Sequence, residues 1–326
     1  MNFIRIKGDQ FSGENMGDLK VLITGGAGFI GSHLVDHLLK TGFKTVVLDS
    51  FFSGRIENIK LHLKDKNFSL IRGDVRNLKD VDEAVKGVDV VFHLAAIVNI
   101  PLSIENPLLV DEVNVNGTLN LLETSLKQNI QRFVYVSSCA VYGEAKYLSI
   151  DEEHPTNPLS PYGASKLAAE HYCKVFHQIY DLQTVCLRFF NVYGPRQPSG
   201  PYGGVITTFL ESLRKGQPLV IYGDGNQTRD FLYVEDAVRA CLLALNCKDC
   251  SGETFNVGTG ARTAINDLAS ILIELFGKKG AKVVYTDERE GDIRDSYANI
   301  SKAEKMLKFE PKFSIGDGLR ELMRSS

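Results

Sequence analysis

Tyr162 and Lys166 are the residues whose types and spacing point most directly to chemistry. They form Tyr-x-x-x-Lys at the start of a predicted helix, so one helical turn places both side chains on the same face. A neighbouring ammonium favours the phenolate and lowers the pKa of a tyrosine from about 10. A phenolate can accept the proton of a substrate hydroxyl while hydride leaves the same carbon. Because the pair is common on helix surfaces, its meaning depends on its surroundings.

Three glycines earlier in the chain form a motif that is typical of enzymes that transfer hydride. Gly25, Gly28 and Gly31 follow an apolar strand at 21–24 and open an amphipathic helix at 29–39. This spacing allows a tight turn, an approach of backbone N–H groups to a pyrophosphate, and close packing of helix on strand. The helix N-terminus then faces the phosphates with unpaired amides and the positive end of its dipole. The pattern predicts a dinucleotide-binding turn.

Asp49 indicates which dinucleotide binds. It ends a second apolar strand about 20 residues after the glycines, where a carboxylate accepts hydrogen bonds from an adenosine ribose and repels a 2′-phosphate. We therefore predict NAD, whose positively charged nicotinamide ring would further favour a Tyr162 phenolate. Arg55 lies close enough to keep NADP open as an alternative.

Strands and helices alternate from residue 20 to about residue 188 at the rhythm of βαβ units. Near-continuous apolar strands with helical crossovers predict an α/β fold, a Rossmann doubly wound parallel sheet covered on both faces. Two of the predicted helices, at 107–128 and 162–180, carry apolar residues on more than one side. That extra face is either core or a dimer seam. The predicted strands lie at 21–24, 45–48, 68–72, 88–93, 132–137 and 184–189.

The chain of 326 residues is long for one compact domain. After residue 191 glycine and proline become concentrated, which marks a smaller, interrupted substrate-binding lobe. We predict a flexible extension at 1–18, an NAD-binding domain at 19–190 plus about 230–258, and the lobe at about 191–229 plus 259–326.

Composition excludes some classes of partner and location. The net charge is −3 and no basic stripe occurs, so nothing favours nucleic acid. No apolar run reaches the roughly 20 residues of a membrane span, and the polar start lacks the apolar core of a signal peptide. We expect a soluble cytoplasmic protein that does not bind membranes.

The six cysteines suit buried free thiols in a reducing compartment. Only Cys247 and Cys250 form Cys-x-x-Cys. Neither a second pair nor histidines stand at zinc-ligand spacing, and the pair does not follow a strand-to-helix turn. We interpret it as a surface-loop pair and predict no metal site.

Polar residues end two further predicted strands at the edge where open α/β sheets bind ligands. Ser137 and Ser138 end the fifth strand, where a hydroxyl can share the substrate proton with Tyr162; a merely structural role suits Ser137 better. His93 ends the fourth strand and is interpreted as a packed, hydrogen-bonded neighbour of the cofactor.

These motifs together resemble the extended short-chain dehydrogenases/reductases and, within them, the UDP-hexose 4-epimerases. The resemblance covers about residues 20–323. It rests on 24–31 (TGGAGFIG), 73–75 (GDV), 93–96 (HLAA), 137–143 (SSCAVYG), 162–166 (YGASK), 188–194 (RFFNVYG), 229–231 (RDF) and 289–292 (REGD).

The resemblance implies site residues. Tyr162, Ser138 and Lys166 would be catalytic, with Lys166 also on the nicotinamide ribose and Asp74 and Val75 on the adenine. The cofactor-binding set would be Gly25, Gly28, Phe29, Ile30, Gly31, Asp49, Ser53, Gly54, Asp74, Val75, Leu94, Ala95, Ala96, Tyr162 and Lys166. The substrate-binding set would be Ser138, Asn191, Val205, Tyr222, Arg229, Arg289, Asp292 and Ser296. Within it, Asn191, Arg229 and Arg289 would hold the diphosphate, Asp292 the uridine ribose and Tyr222 the uracil.

The resemblance also implies a reaction. Family members first oxidise the C4 hydroxyl of a nucleotide sugar, and 4,6-dehydratases then use a carboxylate before Val-Tyr-Gly. This chain has Cys139 and Ala140 there, so return of hydride to the other face of the sugar, a 4-epimerisation, remains. We predict interconversion of UDP-glucose and UDP-galactose. Alternatives are a UDP-glucuronate 4-epimerase, another sugar-nucleotide epimerase or reductase, and a non-catalytic NAD-binding regulator.

Two finer expectations concern the substrate and the assembly. Ser296 falls where family members restricted to unmodified hexoses have a bulky tyrosine, so the resemblance implies room for an N-acetyl group unless Tyr297 fills the space. A homodimer is expected.

Overall fold

A seven-stranded parallel sheet organises the computed structural model, which describes residues 19–198, 203–278, 280–288 and 293–325. The fold class predicted from the sequence is confirmed. The strand order is β3-β2-β1-β4-β5-β6-β11, so the order reverses between β1 and β4, the place where such sheets bind ligands. The strands are β1 (Lys20–Thr24), β2 (Lys44–Asp49), β3 (Phe68–Arg72), β4 (Val90–His93), β5 (Arg132–Ser138), β6 (Thr184–Phe189) and β11 (Glu253–Val257).

Helices cover both faces of this sheet because its strands are apolar throughout. One face buries the apolar sides of α1 (Phe29–Lys40) and α8 (Val234–Asn246). The other buries α2 (Leu78–Val85), α5 (Gly117–Lys127) and α6 (Pro161–Tyr180). Because helices bury both faces of the sheet, each strand is a run of apolar residues rather than an alternation of apolar and polar residues.

The helix predicted at 107–128 is present as a continuous helical segment over 107–127, but it contains a π-helical turn that the sequence did not predict. Short helices α3 (Ile100–Glu105) and α4 (Pro107–Asp111) are followed by a π-helical turn at Glu112–Asn116 and then by α5. Asn106 caps α4 by accepting a hydrogen bond from Leu109 N at 3.2 Å. The π turn changes which side chains face the sheet, and such turns often mark functional positions.

Smaller sheets and three helices form the remainder. β7 (Asn191–Tyr193) pairs with β10 (Phe231–Tyr233), β8 (Leu219–Tyr222) with β13 (Val283–Thr286), and β9 (Thr228–Arg229) with both β12 (Thr263–Ala264) and β14 (Asp295–Ser296). Helices α7 (Val205–Lys215), α9 (Ile265–Leu275) and α10 (Ile315–Arg324) share one apolar core with β8 and β10. The division into two domains stays a prediction, and the extension at 1–18 lies outside the described residues.

The prediction of buried free thiols is correct for three cysteines, is half met by a fourth whose thiol is free but partly exposed, and is wrong for two. Cys173, Cys186 and Cys241 are buried free thiols and Cys139 is a partly exposed one. Cys247 and Cys250, however, are joined in a disulfide with their Cα atoms 5.5 Å apart, and Cys250 is fully buried. The short turn at Lys248–Cys250 brings the two sulfur atoms together, which spacing alone did not reveal.

No helix in the ranges that the structure describes is long and apolar enough to cross a membrane.

The turn from β1 into α1 depends on two glycines. Gly25 has φ +71°, and a Cβ there would lie 2.8 Å from Ala95 N. A Cβ on Gly31 would collide with the carbonyl oxygen of Gly25 and would also approach Gly26. The first turn of α1 therefore lies directly on the end of β1.

We predict that Gly31→Ala destabilises the protein although alanine favours helices. Overpacking a tight site costs about 1–3 kcal/mol, which exceeds the roughly 1 kcal/mol helix propensity gain. Gly316→Ala is the matched control, because Gly316 is also helical and an added Cβ there meets only ordinary contacts, at 3.7 Å or more. Denaturant unfolding monitors both variants, and equal stability of the two would contradict this account of the turn.

Candidate active site

The glycine turn and the end of β4 form a cradle at the switch point of the sheet. Thr24 O accepts a hydrogen bond from Leu94 N at 3.2 Å, and Ala95 N donates to Thr24 Oγ1 at 3.2 Å. Gly28 is the N-cap of α1 and offers no capping side chain, so the amides of Phe29, Ile30 and Gly31 in the first turn receive no side-chain cap. A helix N-terminus without a capping side chain, lined by backbone, suits a pyrophosphate.

Asp49 lies next to this turn, at the end of β2. Its carboxylate accepts hydrogen bonds from Ala27 N and Phe51 N, each at 2.8 Å. Burial raises the pKa of Asp49, and the two amides oppose that effect. Gly54 lies against the same carboxylate, since a Cβ there would be 2.7 Å from Oδ1, and Ser53 precedes it in the same loop. The loop predicted to contact the adenosine ribose thus surrounds Asp49.

Asp74 and Val75 follow β3 at the outer end of the same sheet edge. Asp74 pairs with Arg76 at 2.8 Å, and the hydrogen bond from Arg76 lowers the pKa of Asp74. Val75 is buried, and a Cβ on Gly117 would lie 2.5 Å from its side chain. Ala96 continues the loop after β4 as a small, half-buried residue. Their roles toward the adenine and the cofactor stay predictions.

His93 is packed and hydrogen-bonded, as expected. Nδ1 lies 2.7 Å from Thr24 Oγ1, and Nε2 lies 2.8 Å from Thr118 Oγ1. Thr118 donates its own proton to Asn114 O at 2.6 Å, so Nε2 of His93 carries the hydrogen and Nδ1 accepts from Thr24. Burial lowers the pKa of His93 to about 3, which leaves the imidazole neutral.

Asn114, in the π-helical turn, is a positioning residue that sequence reasoning missed. Its amide accepts from Ile97 N at 2.8 Å and donates to Ile97 O at 3.0 Å and to Ser165 Oγ at 2.9 Å. Ser165 in turn donates to Tyr162 O at 2.8 Å. Asn114 therefore joins the loop after β4 to the start of α6. No local sequence pattern at 112–116 indicates this role.

Ser138 and Tyr162 come together at the end of β5. Burial raises the pKa of Tyr162 to about 12, and the neighbouring Ser138 hydroxyl opposes this by favouring the phenolate. Ser138 Oγ also accepts from Ala140 N at 3.2 Å. The pKa of Tyr162 is thus raised in the protein alone, and the lowering that the sequence predicted would need the positively charged nicotinamide ring beside it.

The ammonium of Lys166 is buried and points to β5. Nζ donates to Val136 O at 2.8 Å and lies 4.7 Å from the centre of the Tyr135 ring. Burial lowers the pKa of Lys166 to about 8, and the carboxylate of Glu170 opposes this change. The spacing in Tyr-x-x-x-Lys placed the lysine on the correct face of α6.

Ser137 has a different partner from its neighbour. Its side chain is buried and donates a short hydrogen bond to Glu170 Oε1. Glu170 forms a buried ion pair with Arg188 at 2.7 Å. Ser137 thus belongs to the interior behind the site, whereas Ser138 belongs to the site itself.

Ser296 lies beside the loop that follows β5. It is buried in β14, pairs in register with Arg229 of β9, and shares a hydrogen bond with the thiol of Cys139. Burial raises the pKa of Cys139 to about 11, the guanidinium of Arg229 opposes this, and the thiol also contacts Ser138. Arg229 donates to Thr228 O at 2.9 Å. A chain of contacts therefore connects Ser296 to Ser138.

The other predicted substrate residues lie on three separate elements. Asn191 starts β7, and its buried Oδ1 finds no hydrogen-bond partner among the described residues. Val205 is the first residue of α7, which has no side-chain cap. Tyr222 ends β8, and its carbonyl accepts from Gln227 at 2.7 Å. An unsatisfied amide oxygen and an uncapped helix start both suit a polar ligand. Arg289 and Asp292 lie outside the described residues.

The sequence model of the NAD dependent epimerase/dehydratase family matches residues 21–258. The chain belongs to this family. The resemblance noted from the motifs and the prediction of NAD as cofactor are thereby confirmed, and the glycine turn described above fits NAD.

Three solved structures of this family resemble the chain over almost its whole length. A UDP-glucose 4-epimerase of Thermotoga maritima with UDP-glucose is 36% identical, with a TM-score of 0.89, covering 94% of this chain and 98% of that one. A UDP-N-acetylglucosamine 4-epimerase of Methanobrevibacter ruminantium with UDP-N-acetylmuramic acid is 37% identical (TM-score 0.89; 94% and 97%). A UDP-glucuronic acid 4-epimerase of Bacillus cereus with UDP-glucuronic acid and NAD is 35% identical (TM-score 0.88; 94% and 98%).

Proposed function

We propose that this chain is an NAD-dependent UDP-sugar 4-epimerase that interconverts UDP-glucose and UDP-galactose through a transient 4-keto sugar. The observation that carries the proposal is the placing of Ser138 beside Tyr162, one helical turn from Lys166, with no carboxylate at positions 139 and 140. The similarity to three UDP-sugar 4-epimerases supports it.

The chemistry follows from what each side chain can hold or move. Tyr162 accepts the proton of the C4 hydroxyl and later returns it, while Ser138 shares that proton through its hydrogen bond to the phenol. The Lys166 ammonium stabilises the phenolate and binds the nicotinamide ribose. NAD, when bound, supplies the acceptor and donor of hydride at C4. Asn191 and Arg229 hold the diphosphate, so the sugar can turn while the nucleotide stays fixed.

Epimerisation is favoured over elimination because of positions 139 and 140. Removal of a proton next to the keto group requires a positioned base. Cys139 is a poor one, since burial raises its pKa to about 11 and it is a neutral thiol at neutral pH. Ala140 has no acid or base at all. After oxidation at C4, return of the hydride to the keto sugar is then the remaining reaction.

Other functions on the same scaffold stay open as alternatives. UDP-glucuronate 4-epimerase activity is supported by the 35% identity to the Bacillus cereus protein. Another sugar-nucleotide epimerase or a reductase would use the same residues, and a reductase would consume free cofactor. A non-catalytic NAD-binding regulator has no need for Ser138, Tyr162 and Lys166 together. The cytoplasmic location also stays a prediction.

We predict that the purified protein interconverts UDP-glucose and UDP-galactose without added cofactor and that Tyr162→Phe lowers turnover by at least about 10²–10⁴-fold. Loss of the phenol removes proton transfer but not the nucleotide contacts, so UDP affinity should change little. Chromatography of the products and calorimetry with UDP provide the two measurements.

Ser138→Ala and Ser137→Ala are the matched pair for this experiment. Ser138→Ala should be impaired but less so than Tyr162→Phe, whereas Ser137→Ala should remain close to the wild type because Ser137 bonds Glu170 behind the site. A wild type that requires a stoichiometric reductant would argue against epimerisation, and greater damage from Ser137→Ala would reverse the assignment of the two serines.

We propose that Ser296 determines how large a substituent the sugar may carry at C2. It contacts Cys139 next to the catalytic serine and is short enough to leave space for an acetamido group at C2. Its neighbour Tyr297 has its backbone carbonyl bonded to Ile150 N at 3.0 Å. This anchoring supports a fixed path for the segment and argues against Tyr297 replacing Ser296 in the pocket.

We predict that UDP-N-acetylglucosamine and UDP-N-acetylgalactosamine interconvert at rates within about tenfold of the unmodified pair, which is roughly 1.4 kcal/mol in barrier. Ser296→Tyr should abolish only the N-acetyl activity, because the phenol ring would occupy the acetamido space. Parallel assays of both sugar pairs test this, with Ser296→Ala as a small control. Rejection of N-acetyl sugars by the wild type would refute the size argument.

The exposed face of α6, together with α3 and α4, supports the predicted homodimer. Tyr172, Val175 and Ile179 on α6 lie exposed, as do Ile104 and Leu108 on the neighbouring helices. Large apolar surfaces of this kind commonly mark an interface between chains.

We predict a dimer by light scattering and a monomer for Ile179→Glu, which places a charge on a side chain that is 67% exposed. Leu61→Glu is the control, because Leu61 is 83% exposed but lies in a short turn after β2. A monomeric wild type, or equal dissociation by both variants, would exclude this face.

A further inference from the structure

A buried pair of opposite charges lies directly behind the catalytic residues. Glu170 and Arg188 are 5% and 7% exposed. Arg188 Nε lies 3.0 and 3.1 Å from the two carboxylate oxygens, and its NH2 group lies 2.7 Å from Oε2. Glu170 follows Lys166 by four residues on α6, so the two side chains are neighbours on one helical face.

The carboxylate of Glu170 is fixed by elements on several sides. Ser137 at the end of β5 donates to Oε1, and Arg188 grips both oxygens from β6. Arg188 also donates to Tyr142 OH at 2.8 Å, and Tyr142 donates to Asn256 Oδ1 at 2.7 Å. A carboxylate that accepts this many hydrogen bonds is held in one position.

Few other groups contact the Lys166 ammonium and could stabilise its positive charge. Its Nζ has one carbonyl partner, Val136 O, and the face of the Tyr135 ring. A buried ammonium loses its proton readily unless a negative charge lies near it. The groups that face it from the packed elements are His93 on β4, Tyr135 on β5, Cys186 on β6, and Cys173 and Glu170 on α6.

Only one of these groups is a carboxylate among the residues that the structure describes. His93 is a neutral imidazole, because burial lowers its pKa to about 3. The two cysteines are buried, and burial raises the pKa of Cys173 well above its ordinary value. Burial also raises the pKa of Tyr135. Glu170 is therefore the single carboxylate available to Lys166.

We propose that Glu170 is a positioning residue whose carboxylate, clamped by Arg188 and Ser137, keeps the buried ammonium of Lys166 charged and thereby keeps Tyr162 able to ionise. The inference rests on the proposed epimerase function, in which the ammonium stabilises the phenolate. Glu170 contacts neither sugar nor cofactor, and its effect passes through Lys166.

The test is Glu170→Gln in the NAD-loaded enzyme, which keeps the shape of the side chain and removes its charge. The Lys166 pKa should fall, so the alkaline limb of the kcat profile should move to lower pH by about one unit or more. The ultraviolet absorbance of the Tyr162 phenolate, measured as the difference from Tyr162→Phe, should appear at higher pH by a similar amount. KM for the UDP-sugar should stay unchanged.

Glu152→Gln is the matched control. Glu152 is a half-buried carboxylate near the same network, which accepts from Asn256 N at 2.7 Å, but it does not act on Lys166. Its profile should match the wild type. Glu170→Asp retains the charge and should restore most of the alkaline limb.

A double variant covers the case in which Glu170→Gln fails to fold because Arg188 is left unpaired. Glu170→Gln combined with Arg188→Gln removes both charges and should still show the downward shift of the alkaline limb. If the wild type epimerises but neither limb nor phenolate titration moves in the folded variants, the role of Glu170 is refuted while the epimerase function stands. If the wild type lacks epimerase activity, the proposed function itself fails.

Discussion

Burial of ionisable groups at the carboxyl edge of the parallel sheet is the constraint on which the rest of this structure depends. Lys166, Glu170, Arg188 and His93 all lie under the site with almost no exposure. Each would cost several kcal/mol if it were left charged or polar without a partner in such an interior. The strands β4, β5 and β6 end side by side, so the partners that satisfy these groups come from different strands rather than from local turns.

Two separate hydrogen-bond systems meet this constraint. One runs from Thr24 through His93 and Thr118 to Asn114 and holds the cofactor side, where every group is neutral. The other runs from Ser137 through Glu170 and Arg188 to Tyr142 and carries charge. Keeping the charged system beside Lys166 and the neutral one beside the dinucleotide turn gives the two ends of the site different electrostatics. Helix α6 contacts both, through Ser165 and Glu170.

The features that the sequence predicted are those that depend on local residue spacing. Apolar runs located the strands, three glycines located the turn, and a four-residue interval placed Tyr162 and Lys166 on one face. It could not predict Asn114, whose partners Ile97 and Ser165 are 17 and 51 residues away. Nor did the helical pattern at 107–128 reveal the π turn, because apolar residues lie on more than one side of this segment and the shift of phase at the turn is therefore hidden.

The charged system also reaches the wall of the proposed sugar pocket. Tyr142 donates to Asn256, whose amide donates to Ile150 O at 2.9 Å. Ile150 in turn holds the segment after β14 through two backbone hydrogen bonds. Its N–H donates to Tyr297 O at 3.0 Å, and its carbonyl accepts from Asn299 N at 2.7 Å. The position of Ser296 is thus set from the same network that holds Glu170. The residues proposed as catalytic and the proposed pocket wall are therefore joined by one continuous set of hydrogen bonds, so the two parts of the site share their supports.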